Sequence, residues 1–422
     1  MTGQPMHEAA LARRLGTTDA ALIGVGSMVG AGVFSALGPA AESAGSWLLL
    51  GLVVAGVVAY CNAIASAQLA AQYPLSGGSY VYGRERLGPW LGFAAGWCFV
   101  TGKTASCAAM AITFGAYVAP GSAVAQRALG VVAVGVLTVV TLRGVERTAH
   151  LTRALVAVSV GVLALIVALL ATSGESDVDR LDAGSPGAYG VLQAAGLLFF
   201  AFAGYARIAT LAEEVRDPGR TIPRAILAAL AVVLCLYLAV AVTALLVAGP
   251  DALAASSAPL RTAVELAGAA WAKPVVTVGA AVASLGALLA LLAGVSRTSL
   301  AMARNRDLPR RLATVDPSHA VPRAAQLALA GVVALLVATV DLRGMIGFSS
   351  FGVLLYYAVA NAAAWTQSPA RRRSPRALQA LGLTGCLVLV VTLPYVAVLT
   401  GIGVLAGGCA GRLVLRAPTG PG

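Results

Sequence analysis

The sequence predicts an all-α integral membrane protein with about 12 transmembrane helices. Hydrophobic residues make up 59% of the 422-residue chain and charged residues only 11%, whereas a soluble domain averages roughly 25% charged residues. Long stretches carry no charge, and most reach the roughly 20 apolar residues that a membrane-spanning helix needs. These stretches are 154–174, 183–206, 225–250, 274–296, 324–340, 344–370 and 377–411. The last has room for two short helices around Pro394.

The apolar runs divide the chain into successive spans. They are predicted at 18–38, 46–71, 88–119, 124–142, 150–172, 188–212, 224–248, 273–302, 323–340, 344–366, 377–393 and 395–411. Because the first run begins near Ala20 and many others follow, it predicts a first span and not a cleaved signal peptide.

Segments between the spans have their own character. Residues 73–89 combine turn residues with an amphipathic stretch, which predicts a segment along the membrane surface. Residues 256–273 are too polar to span and predict short outer helices, and RNRDLPRRL (304–312) predicts a charged cytoplasmic turn.

The six cysteines fall in apolar segments without a CxxC pair, which predicts buried thiols and neither a disulfide nor a metal site.

The basic residues predict the orientation of the chain. Most of the 29 Lys and Arg residues lie on alternate loops, and Lys103 and Arg207 lie inside spans. The remaining basic residues are Arg127, Arg180, Arg261, Lys273 and Arg343. Because loops rich in Lys and Arg stay in the cytoplasm, both termini are predicted to be cytoplasmic in a multi-pass cell-membrane protein. This distribution accounts for the net charge of +12 without nucleic acid as a partner.

Two spans contain glycine-rich interruptions. GVGSMVGAGVF (24–34) in span 1 holds four glycines, although glycine costs roughly 1 kcal/mol relative to alanine inside a helix. FFAFAGYARIATLAEE (199–214) in span 6 places Gly204 among small and aromatic residues. Each lies in the first span of a five-helix block, and paired interruptions at matching places indicate a transporter's binding site. Taken alone, Gly26 and Gly30 also fit a packing face between membrane helices.

Four stretches carry a resemblance to the amino acid–polyamine–organocation (APC) transporter superfamily. GSMVGAGVF (26–34) resembles its first-helix signature, and YPLSGGSYVY (73–82) is similar to its loop after helix 2. Residues 199–226 resemble its sixth helix, and residues 296–323 are similar to the stretch after helix 8. The match covers nearly the whole chain, and the motifs are specific in combination.

The resemblance implies a LeuT-type fold. Two inverted five-helix repeats would cover 17–172 and 188–366, with discontinuous helices 1 and 6. A cytoplasmic arm (1–16) would precede them, and helices 11 and 12 (377–412) with a short tail to residue 422 would follow. The implied function is uptake or exchange of amino acids or related amines.

The two interruptions also predict a site for a zwitterion. Unwound helix ends are tolerated in a membrane only where they line a protected cavity, and a half-helix that begins near Ala31 directs amides and a positive dipole end at a carboxylate. By resemblance, the amides of Ala31 and Gly32 meet the carboxylate, and carbonyls near Met28, Phe200 and Ala203 meet the ammonium. The implied binding residues are Met28, Val29, Gly30, Ala31, Gly32, Phe200, Phe202, Ala203 and Gly204.

Lys103 is the most informative charge, because it lies near the middle of span 3 within a long uncharged stretch. A charge at the bilayer centre costs at least a few kcal/mol and usually marks function. Some proton-coupled members of the resembled superfamily have a lysine in helix 5, where this chain has Ser159. We hypothesise that Lys103 supplies the coupling cation or proton from helix 3 instead, since burial of an ammonium favours its neutral form. The alternative is a structural cation held by carbonyls of a broken helix.

The aromatic residues around the second interruption are candidate gates. The resemblance makes Phe200 or Phe202 a gate over the substrate, followed by Tyr205, whereas the simpler interpretation is core or lipid-facing aromatics. Many relatives carry an acidic residue near position 206, where this chain has Ala206. Because Arg207 would also repel a cationic side chain, neutral substrates are favoured.

Glu213 and Glu214 lie at the cytoplasmic end of span 6. They form either a solvated pair at a helix end or, by resemblance, an inner ion-pair gate. The candidate partners of that gate are Arg84, Arg86 and Arg220.

The predicted function is secondary active transport of amino acids by alternating access, through proton symport or exchange. Sodium coupling is less favoured, because span 8 offers only Ser284 opposite helix 1. The chain has no phosphate-binding loop, no cofactor is expected, and Lys103 without a nearby His or Asp does not form the dyad of an intramembrane enzyme. The alternatives are a transporter of cationic amino acids or polyamines and a non-transporting amino-acid sensor.

Overall fold

The computed structural model describes most of the chain as helices joined by turns. It describes residues 16–73, 77–144, 149–181, 187–205, 208, 215–316, 318–319 and 321–416. No β-strand occurs among these residues, so the prediction of an all-α protein is confirmed for the described part of the chain.

In the first half of the chain, local signals explain several helix boundaries. Ser122 caps the helix after it by accepting a hydrogen bond from the Ala125 amide, and Pro89 opens another helix, where its missing N–H costs nothing. The helices are α1 (Thr17–Met28), α2 (Ala31–Ser35), α3 (Leu37–Ala44), α4 (Leu48–Gln72), α5 (Ser79–Leu87), α6 (Pro89–Val118), α7 (Ala123–Leu142) and α8 (Ala149–Thr172).

The second half of the chain also consists of helices joined by turns. Its helices are α9 (Gly187–Phe202), α10 (Pro218–Ala255), α11 (Pro259–Leu266), α12 (Lys273–Arg304), α13 (Arg323–Thr339), α14 (Leu342–Trp365), α15 (Arg376–Thr392) and α16 (Tyr395–Arg416). Gly249, at φ 73°, kinks α10 just before Pro250. The carboxylate of Asp341 caps α14 by accepting from the Gly344 amide at 3.1 Å. α11 is the short helix that the polar segment 256–273 predicts.

Eight helical stretches among the described residues are long and apolar enough to cross a membrane. They are Thr17–Ser35, Leu37–Gln72, Ala123–Leu142, Arg153–Thr172, Gly219–Ala255, Ala270–Arg304, Leu342–Trp365 and Tyr395–Arg416. Helices α9, α13 and α15 are shorter and apolar, and α6 has 30 residues, more than a span needs. The prediction of a helical multi-pass membrane protein is therefore confirmed, and the number of 12 spans stays a prediction.

Small residues bring the long helices close together. A Cβ built on Gly352 in α14 would lie 2.6 Å from the Cys98 carbonyl oxygen in α6. The hydroxyls of Ser106 and Ser349 lie 2.6 Å apart between the same two helices. Close approach through small residues is typical of membrane helices, and here it holds the middle of α6, where Lys103 lies, inside the bundle.

Helix contacts in the first half have counterparts in the second. α6 packs against α7 and α14, and α12 packs against α13 and α8. α4 contacts α9 in the same way that α10 contacts α3, and α1 contacts α8 as α9 contacts α14. Each of these contacts has a counterpart when every predicted span is replaced by the predicted span five positions later or earlier in the chain.

Contacts inside the protein add to two expectations and correct a third. In α5, Tyr80 and Tyr82 are buried against the protein and the Ser79 amide donates to the Tyr356 hydroxyl at 3.0 Å, so a position of this segment along the membrane surface stays a prediction. The charged turn predicted at 304–312 contains a buried carboxylate, that of Asp307. All six cysteines are free, but Cys235 is exposed and Cys409 only partly buried. A membrane helix is hydrophobic on the side that faces lipid as well as on the side that faces the protein. Composition alone therefore does not show which cysteines are buried.

Candidate functional site

The first membrane helix is interrupted where the sequence predicts. α1 ends at Met28 and α2 begins at Ala31. Between them, Val29 leaves the helix with ψ 71°, and Gly30 has φ −118° and ψ −147°. Only one residue separates α2 from α3, so the chain continues as a second half-helix. The first amides of that half-helix lack intrahelical acceptors and are free to bind another group.

Helix α9, in the predicted sixth span, stops at the second predicted interruption. α9 ends at Phe202, and residues 203–205 form a turn. The Ile208 amide donates to the Tyr205 carbonyl at 3.0 Å. Ala206, Arg207 and residues 209–214, including the proposed gate of Glu213 and Glu214, lie outside the described residues.

The two interruptions contact each other through glycines. A Cβ built on Gly204 would lie 2.0 Å from the Ser27 carbonyl oxygen, and one on Gly32 would lie 2.5 Å from Cα of Ala201. Because both distances are far below van der Waals contact with backbone atoms, glycine is required at both positions. The structure therefore brings together the two segments that the sequence paired only by their placement.

Two further glycines of the first interruption pack against other helices. A Cβ on Gly26 would lie 2.1 Å from Cγ2 of Val156 in α8, and one on Gly30 would lie 3.0 Å from Cβ of Ala287 in α12. The packing interpretation of these glycines is thus also correct, because the same segment is both interrupted and closely packed.

The aromatic residues beside the second interruption are buried. Phe200, Phe202 and Tyr205 belong to the core of the bundle. The ring of Phe202 lies 5.3 Å from that of Tyr237, and the ring of Tyr205 stacks on that of Tyr357 at 4.9 Å. None of the three therefore faces lipid, and they surround the turn at Ala203.

Lys103 reaches the second interruption from α6. Its Nζ donates to the Ala203 carbonyl oxygen at 3.1 Å, and the residue is only 7% exposed. Ala203 follows the last residue of α9, where helical carbonyls lose their partners. Among the described residues no carboxylate pairs with Lys103. The charge predicted to be functional is thus held by a carbonyl of the broken helix.

Tyr237, which the sequence patterns do not single out, joins both interruptions. Its hydroxyl lies 2.7 Å from the Met28 carbonyl oxygen and 3.2 Å from that of Ala201. One hydroxyl proton is thereby shared between a carbonyl of each broken helix. A tyrosine inside an uncharged span does signal a partner for its hydroxyl, but the sequence does not say which one.

An apolar void lies beside the contact between the interruptions. Its cavity volume is about 10 Å³, roughly the space of one water molecule. The lining residues are Gly32, Val33, Leu37, Leu52, Leu198, Ala201 and Tyr237. Since aliphatic groups dominate this lining, the void is small and apolar.

Ser159 lines a different void, between α1, α8 and α12. The other lining residues are Gly26, Val29, Leu155, Val156, Val282, Ala283, Gly286 and Ala287. The Ser159 hydroxyl donates within its own helix to the Leu155 carbonyl at 2.9 Å, and Ser284 is not part of the lining. Among the described residues, this void offers one side-chain oxygen, whereas a bound cation takes several oxygen ligands.

The arginines considered for the inner gate have partners of their own. Arg84 Nη1 lies 2.8 Å from Oδ2 of Asp307. Arg86 donates to the hydroxyl of Thr366 at 3.1 Å and to its carbonyl. Arg220 is 80% exposed. Arg84 and Arg86 are therefore engaged in contacts that the sequence does not predict.

Comparison with known proteins agrees with this geometry. A family model described as amino acid permease matches residues 15–407. The chain is 58% identical over 407 residues to a protein of Mycobacterium tuberculosis described as an uncharacterized transporter, covering 96% of this chain and 92% of that protein.

Two relatives from Bacillus subtilis are more distant. A branched-chain amino acid permease is 26% identical over 421 residues, covering 93% of this chain and 90% of the relative. A methylthioribose transporter is 29% identical over 370 residues, covering 82% of this chain and 77% of the relative. The family match extends through both interruptions and nearly all of the described helices. The chain is therefore a transporter and not an enzyme, and it belongs to the amino acid permease family of the APC superfamily.

Proposed function

We propose that this permease carries neutral amino acids by alternating access and couples their movement to protons through Lys103. The observation that carries the proposal is the contact between Lys103 Nζ and the Ala203 carbonyl at 3.1 Å. It joins Lys103, in the predicted third span, to the interrupted helix that would move during transport.

The proposed architecture is two five-helix repeats of LeuT type, covering 17–172 and 188–366. The matching contacts of α6 with α14 and of α12 with α8, among others, support this repeat. So does the contact between the two interruptions, since transporters of this kind bind substrate where their repeats meet. Helices α15 and α16 would be the two additions to the repeats.

The substrate's charged ends would meet backbone groups at the interruptions. The amides of Ala31 and Gly32 open the second half-helix of span 1 and would take the carboxylate. The carbonyls of Met28, Phe200 and Ala203 would take the ammonium. Tyr237 already donates to the Met28 carbonyl, which keeps a second lone pair for the substrate. Lys103 donates to the Ala203 carbonyl, so the substrate's ammonium would reach that oxygen without charge repulsion once Lys103 has released its proton.

The substrate's side chain would enter the apolar void beside Gly32, which would widen to admit it. Its aliphatic lining supports a neutral, apolar side chain, in line with the B. subtilis relative that is named a branched-chain amino acid permease. The ammonium of Lys103 beside the same interruption would repel a second cation. The alternative of a cationic amino acid or polyamine is therefore less well supported.

Coupling would follow from the protonation of Lys103. An ammonium donates a charge-assisted hydrogen bond to the Ala203 carbonyl, which is stronger than the bond from a neutral amine. Protonation would thus stabilise the turn after α9, and proton release would loosen it. Because the lining of the void at Ser159 includes one side-chain oxygen among the described residues, protons are a better-supported coupling ion than sodium.

Further parts of the proposal concern gates and orientation. Phe200, Phe202 and Tyr205 would close over the substrate, and Glu213 and Glu214 would act at the inner end of span 6. The basic loops would face the cytoplasm in a cell membrane, with both termini inside.

Competition for uptake tests the substrate class. Purified protein in liposomes should accumulate labelled leucine, and unlabelled leucine should compete while arginine and putrescine do not. Stronger competition by arginine or putrescine would support the cationic alternative. Ligand binding without counterflow would support a sensor.

A further inference from the structure

We propose that the end of α16 forms a binding site for the phosphate group of an anionic membrane lipid. The site is built on Asp307, whose side chain is fully buried in the turn after α12. Arg84 Nη1 lies 2.8 Å from Oδ2 of this carboxylate, and Arg412 Nε and Arg416 Nη2 lie 2.8 Å and 2.9 Å from Oδ1. These residues and Tyr80 are called the Asp307 cluster below.

The Asp307 cluster carries more positive than negative charge. Three guanidinium groups share one carboxylate, and the Tyr80 hydroxyl also donates to Oδ2 at 2.8 Å. Burial raises the pKa of Tyr80 to about 12, so this hydroxyl remains a neutral donor. Asp307 is thus saturated with donors, while the arginines repel each other. A second anion would relieve this repulsion.

Arg412 shows where that anion would bind. The residue is 1% exposed, and among the described residues its buried Nη1 and Nη2 atoms have no hydrogen-bond partner. Its guanidinium carbon lies 4.4 Å from the ring centre of Trp90 and 4.8 Å from that of Phe93. The two rings are perpendicular to each other and leave the unpaired Nη1 and Nη2 atoms as two neighbouring donors. A pair of phosphate oxygens matches that arrangement.

The surroundings favour a lipid as the source of the phosphate. Trp90 and Leu91 at the start of α6 are 48% and 47% exposed, and Leu413 and Val414 on α16 are 59% and 77% exposed. A tryptophan beside exposed aliphatic residues is typical of the headgroup depth of a bilayer. Basic pockets between membrane helices bind anionic headgroups. Arg416, whose side chain is 40% exposed, is the most exposed arginine of the Asp307 cluster.

Thermal unfolding of the full-length protein in detergent tests the proposal. The midpoint is measured with phosphatidylglycerol, with zwitterionic phosphatidylcholine and with inorganic phosphate at equal phosphate concentration. We expect phosphatidylglycerol alone to raise the midpoint, and the apparent affinity for it to fall about tenfold in Arg412→Gln, since charge-assisted bonds to an anion are lost. Arg416→Gln should lower the affinity for phosphatidylglycerol less than Arg412→Gln does.

The matched control is Arg376→Gln. Arg376 also lies over a tryptophan, 5.6 Å from the ring of Trp365, but it is exposed and outside the cluster, so its removal should leave the lipid effect intact. If Arg412→Gln fails to fold, the comparison of the three additives on the wild type and the lipid effect in Arg416→Gln still test the proposal. Equal stabilisation by phosphatidylcholine or by inorganic phosphate overturns the lipid assignment, as does an unchanged phosphatidylglycerol effect in both cluster variants.

Discussion

The ammonium nitrogen of Lys103 lies 3.1 Å from the carbonyl oxygen of Ala203, although the two residues are 100 positions apart in the chain. This contact joins the middle of α6 to the turn where α9 stops. Tyr237 makes a similar connection from α10 to the Met28 and Ala201 carbonyls. Both interruptions are therefore held by side chains from neighbouring helices, and a change at Tyr237 would alter both broken helices.

Tyr237→Phe tests the connection made by the hydroxyl. The substitution keeps the ring and its contact with Phe202 but leaves the Met28 and Ala201 carbonyls without this donor. A hydrogen bond contributes about 0.5–1.5 kcal/mol, so we expect the apparent affinity for substrate to change by roughly two- to tenfold. Uptake by the variant across substrate concentrations measures it.

Tyr189→Phe is the matched control for that experiment. Tyr189 is 56% exposed near the start of α9, away from both interruptions, so its hydroxyl should not affect uptake. An affinity in Tyr237→Phe equal to that of the wild type would show that the hydroxyl does not position the carbonyls.

Gly204→Ala tests the contact between the interruptions. The new Cβ would lie 2.0 Å from the Ser27 carbonyl oxygen, and this backbone atom has little freedom to move. We expect transport to fall to background, with a loss of stability of about 1–3 kcal/mol typical of overpacking. Gly294→Ala in α12 is the control, because nothing lies within 4 Å of its Cβ position. Normal uptake by Gly204→Ala would show that transport does not depend on the close contact between the two interruptions.

Leu198→Val tests the void as the place for the substrate's side chain. Leu198 is 2% exposed and lines the void, so a smaller residue enlarges it. Since one methylene in an apolar pocket discriminates by about 1–3 kcal/mol, we expect preference to shift from valine toward larger apolar amino acids by roughly tenfold. Competition curves for valine, leucine and phenylalanine measure the shift. Leu50→Val, at a 45% exposed position in α4, should change none of them.

The positions of both interruptions could be predicted from sequence because glycine density and a break in helical pattern are local properties. Met28 and Ala31 were expected as the ends of the half-helices of span 1, and α1 and α2 end and begin there. The burial of Lys103 agrees with the long uncharged stretch around it, which is also a local property of the sequence.

Contacts across the bundle were not predictable in this way. The partners of Tyr237 and of Arg84 lie 209 and 223 positions away in the chain, and a single sequence carries no signal for such pairings. The amphipathic pattern of α5 indicated that it buries one face, but it did not distinguish a membrane surface from the protein surface that Tyr80 and Tyr82 contact.

The central claim is tested most directly by Lys103→Gln in liposomes with and without an inward proton gradient. The wild type should take up leucine faster with the gradient, and the variant should lose this stimulation. Loss of the charge-assisted bond to Ala203 should also weaken transport about tenfold or more.

Thr113→Val is the control, because Thr113 is buried in the same helix and, in the part of the chain that the structure describes, its hydroxyl bonds only the Ala109 carbonyl, at 2.7 Å. It should keep the response to the gradient. The account predicts uptake by Lys103→Gln that is the same with and without the proton gradient, and a wild-type response in that variant would contradict it.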